Sequence, residues 1–192
     1  MSSQPKLRLT PEEYLTVERE AEYKSEYYDG EVFAMAGASA RHVLIVTNVV
    51  RELGTQLKRR PCTVYSSDLR VRVSETGLYT YPDVAVVCGV PQWADDQRDT
   101  LLNPTLIVEV LSDSTKDYDR GGKFEHYRTL ESLSEYVLIA QDKIHVEHFA
   151  RQPDNRWILS ETNRVEDTIH LSSIGCNLEL AEIYDKVESL SI

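Results

Sequence analysis

The chain has 192 residues, 41% hydrophobic and 28% charged, an ordinary globular composition that suffices for one substantial core and predicts a single domain. No apolar run reaches the ~18 residues of a membrane span and no hydrophobic leader follows Met1–Lys6, so no membrane anchor is expected and a cytoplasmic location is. The formal net charge of −11 argues against broad, tight, metal-free binding to nucleic acid, although carboxylates that hold a divalent cation would account for a few of those charges.

Thr10-Pro11-Glu12-Glu13 is a helix start, with a threonine cap, proline in the first turn and early glutamates; the helix is expected to reach about Tyr23, with Tyr14, Leu15 and Val17 inward. Asp29-Gly30, between Tyr27-Tyr28 and Val32-Phe33, predicts a tight hairpin. From Ala38-Ser39 to Lys58, Val46, Val49, Val50, Leu53 and Leu57 recur at spacings of three and four and make a helix with one apolar stripe. Strands are expected at Cys62–Tyr65, at Leu69–Val73 with Ser66-Ser67-Asp68 between, and at Tyr81–Val87 after a turn at Gly77. Gly89 to Asn103 reads as an exposed acidic loop, Thr105–Leu111 as a strand covered on both faces, and Tyr118–Leu130 as a helix. Strands follow at Glu135–Ala140, Ile144–Phe149 and Trp157–Leu159, and a short helix at Leu178–Val187.

This order is an α/β layout around a mixed central sheet flanked by helices, with additional antiparallel strands. The expected core spans about 39–150, with the N-terminal helix and hairpin at 9–37 and C-terminal strands and helix at 151–192. Cys62, Cys88 and Cys176 are odd in number and unequally spaced, which predicts small buried hydrophobes in a reducing compartment, not a disulfide framework or a zinc site.

Two carboxylates stand where the surrounding pattern wants apolar residues. Asp83 opens the run Val84-Ala85-Val86-Val87, a place that also suits a solvated strand-end aspartate. Glu109 interrupts Leu106-Ile107-Val108 and Val110-Leu111; left unpaired there it would carry a large desolvation cost, so a metal, an arginine or a lysine must meet it. If the two strands are neighbours, the carboxylates could share a hard cation such as Mg²⁺, which takes one or two protein carboxylates and keeps several waters. Asp68 is a third acidic candidate that could equally cap local backbone. His42 could reach the site or cap the long helix, and Glu31 and Glu52 are weaker candidates. His145 and His148, three apart on a strand, point to opposite faces and are rejected as a metal pair. Arg70 and Arg72, on one face of a strand, are the best placed cations for a DNA backbone.

Pro82-Asp83, the strand-borne Glu109 and a following lysine resemble the PD-(D/E)xK nuclease superfamily. Tyr27-Tyr28-Asp29-Gly30-Glu31, Ser66 to Val71, Tyr81 to Val84, Asn103-Pro104 through Ser112, and Asp119-Arg120-Gly121-Gly122-Lys123 with Tyr127 together resemble the Uma-two family of restriction-endonuclease-like proteins, over roughly Leu9 to Tyr184. The resemblance implies a restriction-endonuclease-like fold, Mg²⁺ or Mn²⁺, and phosphodiester hydrolysis on DNA, with Asp83 and Glu109 as metal ligands. The superfamily pattern wants a lysine two residues after Glu109, where this chain has Leu111; the resemblance places that role on Lys123, with Lys116 as competitor. A homodimer is expected, because cutting two strands favours two sites. The rival readings are a catalytically weak or inactive nuclease-fold protein used for binding or assembly, and a small-molecule hydrolase using the same carboxylates.

Overall fold

A computed structural model describes residues 8–112 and 115–187; the leader expectation on Met1–Lys6 lies outside them. Helix α1 (Pro11–Glu20) starts on Thr10, whose hydroxyl accepts the Glu13 N–H at 3.2 Å while the Glu13 carboxylate accepts the Thr10 N–H at 2.8 Å. It ends before Tyr23, and its inward residues are Tyr14 and Glu18, with Val17 58% exposed instead of buried. Strands β1 (Ser25–Tyr28) and β2 (Glu31–Ala34) meet through Asp29 and Gly30, whose φ of 47° and 82° make the two-residue turn that the Asp-Gly pair predicts. Helix α2 (Ala40–Leu57) is capped by Ser39, whose hydroxyl accepts the His42 N–H, and buries Val46, Val49, Leu53 and Leu57 as the stripe requires.

Strands β3 (Cys62–Ser66), β4 (Arg70–Val73), β5 (Leu78–Thr80) and β6 (Val84–Cys88) follow. The run from Tyr81 is therefore not one strand: Pro82, which offers no N–H, lies in the link between β5 and β6. The acidic loop contains the buried strand β7 (Thr100–Leu101), which runs parallel to β4. After β8 (Leu106–Leu111) the helical stretch is divided into α3 (Lys116–Tyr118), a π-helical turn Asp119–Lys123, and α4 (Phe124–Tyr127). The chain continues through β9 (Glu135–Ala140), β10 (Val146–Arg151), β11 (Trp157–Thr162), β12 (Thr168–Leu171) and β13 (Cys176–Glu179) to α5 (Leu180–Ile183). The final helix is thus shorter than its apolar pattern implies, because Cys176–Glu179 pairs with Thr168–Leu171 as a hairpin.

The central sheet has the order β11-β10-β9-β8-β6-β3 and is mixed: β8 and β9 are parallel, while β6 runs antiparallel to β8. A second sheet has the order β2-β1-β5-β4-β7. Side chains alternate across the central sheet. Val84, Val86, Leu106, Val108, Val137 and Ile139 pack with α2, β13 and α5; Ala85, Val87, Ile107, Tyr136 and Leu138 pack with β4, β5 and Tyr127 of α4. Both faces of β8 are therefore covered, which explains why every residue of it except Glu109 is apolar. Glu109 belongs with Ile107 and Leu111 on the face that meets β4, β5 and α4.

The cysteine reading needs correction, because Cys62 and Cys88 form a disulfide. They are register partners on the antiparallel pair β3–β6, with Cα atoms 4.0 Å apart, and strand pairing brings them together irrespective of their sequence spacing. Cys176 is the free, buried cysteine. Among the described residues no helix is long and apolar enough to cross a membrane.

Candidate functional site

The β6–β8 register pairs Val84 with Val108, and one step further sets Asp83 beside Glu109. The two residues hold each other through the backbone. The Asp83 N–H donates to Glu109 Oε2 at 3.2 Å, and the Val110 N–H donates to Asp83 Oδ2 at 2.7 Å. His42, in the first turn of α2, meets Asp83 Oδ1 through Nε2 at 2.8 Å. Its imidazole therefore reaches the site, while Ser39 does the capping.

Lys123 comes in from the π-helical turn. Its Nζ lies 3.1 Å from Glu109 Oε1, 3.1 Å from Glu26 Oε1 and 3.4 Å from Asp119 Oδ1. Tyr127 donates its hydroxyl to Glu109 Oε1 at 2.9 Å. A π turn inside a helix widens one turn and often marks a functional site. Here it directs Asp119 and Lys123 inward together, with both side chains buried.

Asp83, Glu109 and Lys123 thus come together at one cleft of about 1110 Å³, which Glu26, Asp119, His42 and Asp68 also line. Asp68 is on its rim and does not join the cluster: its side chain is 90% exposed and pairs with Lys24 at 2.9 Å. Of the two candidate lysines, Lys123 makes the contact to Glu109.

Arg70 is not offered to a DNA backbone. It is 3% exposed, donates to Thr100 Oγ1 and the Tyr81 hydroxyl at 2.9 Å each, and pairs with Asp99 at 2.9 Å. The alternation that placed it on one face of β4 carries no sign of the second sheet and loop that cover it. Arg72 is half-buried with its guanidinium over the Tyr79 ring, 5.4 Å from the centroid. His145 and His148 have separate partners: His145 lies near Glu147 and Glu161, and His148 meets Glu135.

Glu26 and Asp119 are site residues that sequence reasoning missed. Glu26 alternates with the buried Tyr27 on β1, so its inward-facing side could only be found once the second sheet was laid over the first. Asp119 carried a usable signal, four residues before Lys123 on one helical face.

The electrostatics are those of crowded carboxylates. Burial pushes the Glu109 carboxyl up, to about 8, and the charges of Asp83 and Asp119 add to that against the Lys123 ammonium. Burial likewise raises Asp119, opposed by Lys123. For Lys123, burial would lower the value, but Glu109, Glu26 and Asp119 outweigh it and hold the ammonium well above the usual lysine range. Four carboxylates surround one lysine and one histidine, which leaves the cluster short of positive charge. That donor set, hard oxygens with one imidazole, fits a small divalent cation.

This arrangement of a mixed sheet flanked by helices is also the fold of a solved structure. A crystal structure described as a "putative nuclease belonging to DUF820", from Anabaena variabilis, superimposes with a TM-score of 0.77 at 17% identity, covering 93% of this chain and 99% of that one. Residues 11–182 match the Uma2 family, described as "Putative restriction endonuclease", and the chain belongs to that family. Two relatives from Synechocystis are "Uncharacterized protein sll1609", 40% identical over 153 residues (80% of this chain, 86% of the relative), and "Uncharacterized protein slr1290", 35% identical over 184 residues (95% and 94%).

Proposed function

We propose that the protein is a Mg²⁺- or Mn²⁺-dependent endonuclease that hydrolyses phosphodiester bonds in DNA, acting as a cytoplasmic homodimer. The observation that carries this reading is the adjacency of Asp83 and Glu109 on paired strands, with the Lys123 ammonium 3.1 Å from Glu109. Asp83 and Glu109 would hold the cation. Such an ion supplies positive charge against the phosphate oxygens and acidifies water in the site.

The chain's own groups do the rest. The Val110 N–H fixes the orientation of the Asp83 carboxylate, and the Tyr127 hydroxyl and Asp83 N–H fix that of Glu109. His42 holds Asp83 Oδ1, and Oδ2 accepts a single backbone donor. Lys123 orients the attacking water or stabilises the negative charge on the phosphoryl oxygens. The absence of a lysine two residues after Glu109 does not remove this group, since the π turn delivers an ammonium to the same carboxylate.

The test is cleavage of supercoiled plasmid and of single-stranded DNA with Mg²⁺ or Mn²⁺ by wild type, Asp83→Ala and Glu109→Ala, with sedimentation to read the oligomer. Cleavage by wild type and at least about a hundredfold loss in both variants is expected. Cleavage that survives both substitutions removes the reading.

A further inference from the structure

Three carboxylates surround the Lys123 ammonium, with Glu26 and Glu109 at 3.1 Å and Asp119 at 3.4 Å. The Tyr118 ring covers another side, its centroid 5.9 Å from Nζ, and it can lie there because residue 122 is glycine: a Cβ at Gly122 would stand 3.0 Å from the ring. Of the three carboxylates, Glu109 is the one assigned above to a cation. A carboxylate that turns toward a divalent ion has less to give the ammonium, and a lysine held by it alone would be released to its flexible four-carbon stem.

Glu26 and Asp119 are held independently of Glu109. Glu26 Oε1 accepts from the Thr80 hydroxyl on β5, and the Asp119 backbone carbonyl accepts from the Tyr136 hydroxyl on β9 at 3.0 Å. They approach Lys123 from different elements, Glu26 from the N-terminal hairpin and Asp119 from the helical side.

We propose that Glu26 and Asp119 are positioning residues, which keep the Lys123 ammonium in the cleft beside the reacting group when Glu109 engages a divalent cation. The N-terminal hairpin is thereby part of the site's machinery through Glu26. The inference rests on the role of Lys123 given above, and it explains how a lysine on a helix can replace one on the strand: two fixed anions substitute for the rigidity of a strand position.

The experiment uses the full chain and the variants Glu26→Gln, Asp119→Asn and Glu26→Asp. Three quantities are read: the Lys123 ammonium cross-peak in a ¹H–¹⁵N spectrum, assigned by its loss in Lys123→Met; Mn²⁺ affinity by calorimetry; and kcat and KM for cleavage. Wild type should keep the cross-peak with and without Mg²⁺, and Glu26→Gln and Asp119→Asn should lose it in Mg²⁺. Both variants should bind Mn²⁺ within about threefold of wild type, yet lose at least about tenfold in kcat at unchanged KM, with partial rescue in Glu26→Asp. Retention of both the cross-peak and kcat in the two variants overturns the proposal. So does a fall of about tenfold or more in Mn²⁺ affinity in Glu26→Gln, which would make Glu26 a ligand. Thr80→Val, which removes the hydroxyl that holds Glu26 and also meets Tyr127 but leaves every carboxylate of the cluster in place, decides the matter should Glu26→Gln not fold. If wild type cleaves nothing, the nuclease reading fails, while the cross-peak and the Mn²⁺ titration still decide the positioning claim.

Discussion

Replacing Glu109 by Gln should make the protein functionless and less stable. Every contact of this carboxylate is with a donor: the Tyr127 hydroxyl at 2.9 Å and the Lys123 ammonium at 3.1 Å on Oε1, and the Asp83 N–H at 3.2 Å on Oε2. Glutamine keeps the shape but loses the charge, and whichever way its amide turns, the NH₂ faces a donor. Burial pushes the wild-type carboxyl up from its ordinary 4.5, with Asp83 and Asp119 adding to the shift, and the Lys123 ammonium opposes them. Removing one partner of a buried ion pair costs about 3 to 5 kcal/mol, and because Glu26 and Asp119 stay on Lys123 a loss of about 2 to 3 kcal/mol is expected. Urea denaturation of both proteins at pH 7, in the absence of divalent ions, reads this directly. Mg²⁺ at about a hundred times its Kd should add about 2.7 kcal/mol to wild type and nothing to the variant. A variant as stable as wild type, or more stable, refutes the reasoning.

Other consequences concern the cation, the disulfide and the arginine. Mn²⁺ affinity, measured by calorimetry, should rise with pH through the neutral range, since burial raises the Glu109 carboxyl and any proton it holds must leave for the ion to bind. Reducing Cys62–Cys88, which are 26 residues apart, should cost about 3.5 kcal/mol by loop entropy and lower Tm by roughly 7 to 14 °C in calorimetric scans. Arg70→Ala should destabilise by about 2 kcal/mol, less than a fully buried pair because Asp99 is 34% exposed, and should leave the salt dependence of DNA binding unchanged; a slope reduced by about one unit would return Arg70 to the phosphate backbone.

What was legible in the sequence was what depends on local pattern. A carboxylate inside Leu-Ile-Val-Glu-Val-Leu announces itself because burial leaves it few choices, and the capping box at Thr10 and the turn at Asp29-Gly30 are written in adjacent residues. What escaped depends on which surfaces meet. Cys62 and Cys88 are joined by strand register, which no spacing encodes. Arg70 and Arg72 alternate as an exposed strand would, yet the Arg70 guanidinium is closed in by Tyr81, Thr100 and Asp99, contributed by segments that the pattern treats as a separate strand and an exposed loop. Glu26 is hidden for a related reason. A hairpin tells which residues alternate, and only the packing of one sheet against the other tells that the Glu26 face looks onto Lys123. Asp68 shows the converse, a locally persuasive acid whose side chain is left to solvent and Lys24.

The placement of the cation is the claim on which the rest depends, and a Mn²⁺ soak of crystals with anomalous diffraction measures it most directly. An anomalous peak is expected between the Asp83 and Glu109 carboxylates, at about 2.1 to 2.2 Å from their oxygens, and is expected to vanish in Asp83→Ala. A soak that leaves this position without a peak, or that places the ion only among His145, Glu147 and Glu161, where ligand atoms lie within 4.8 Å of one another, would contradict the account.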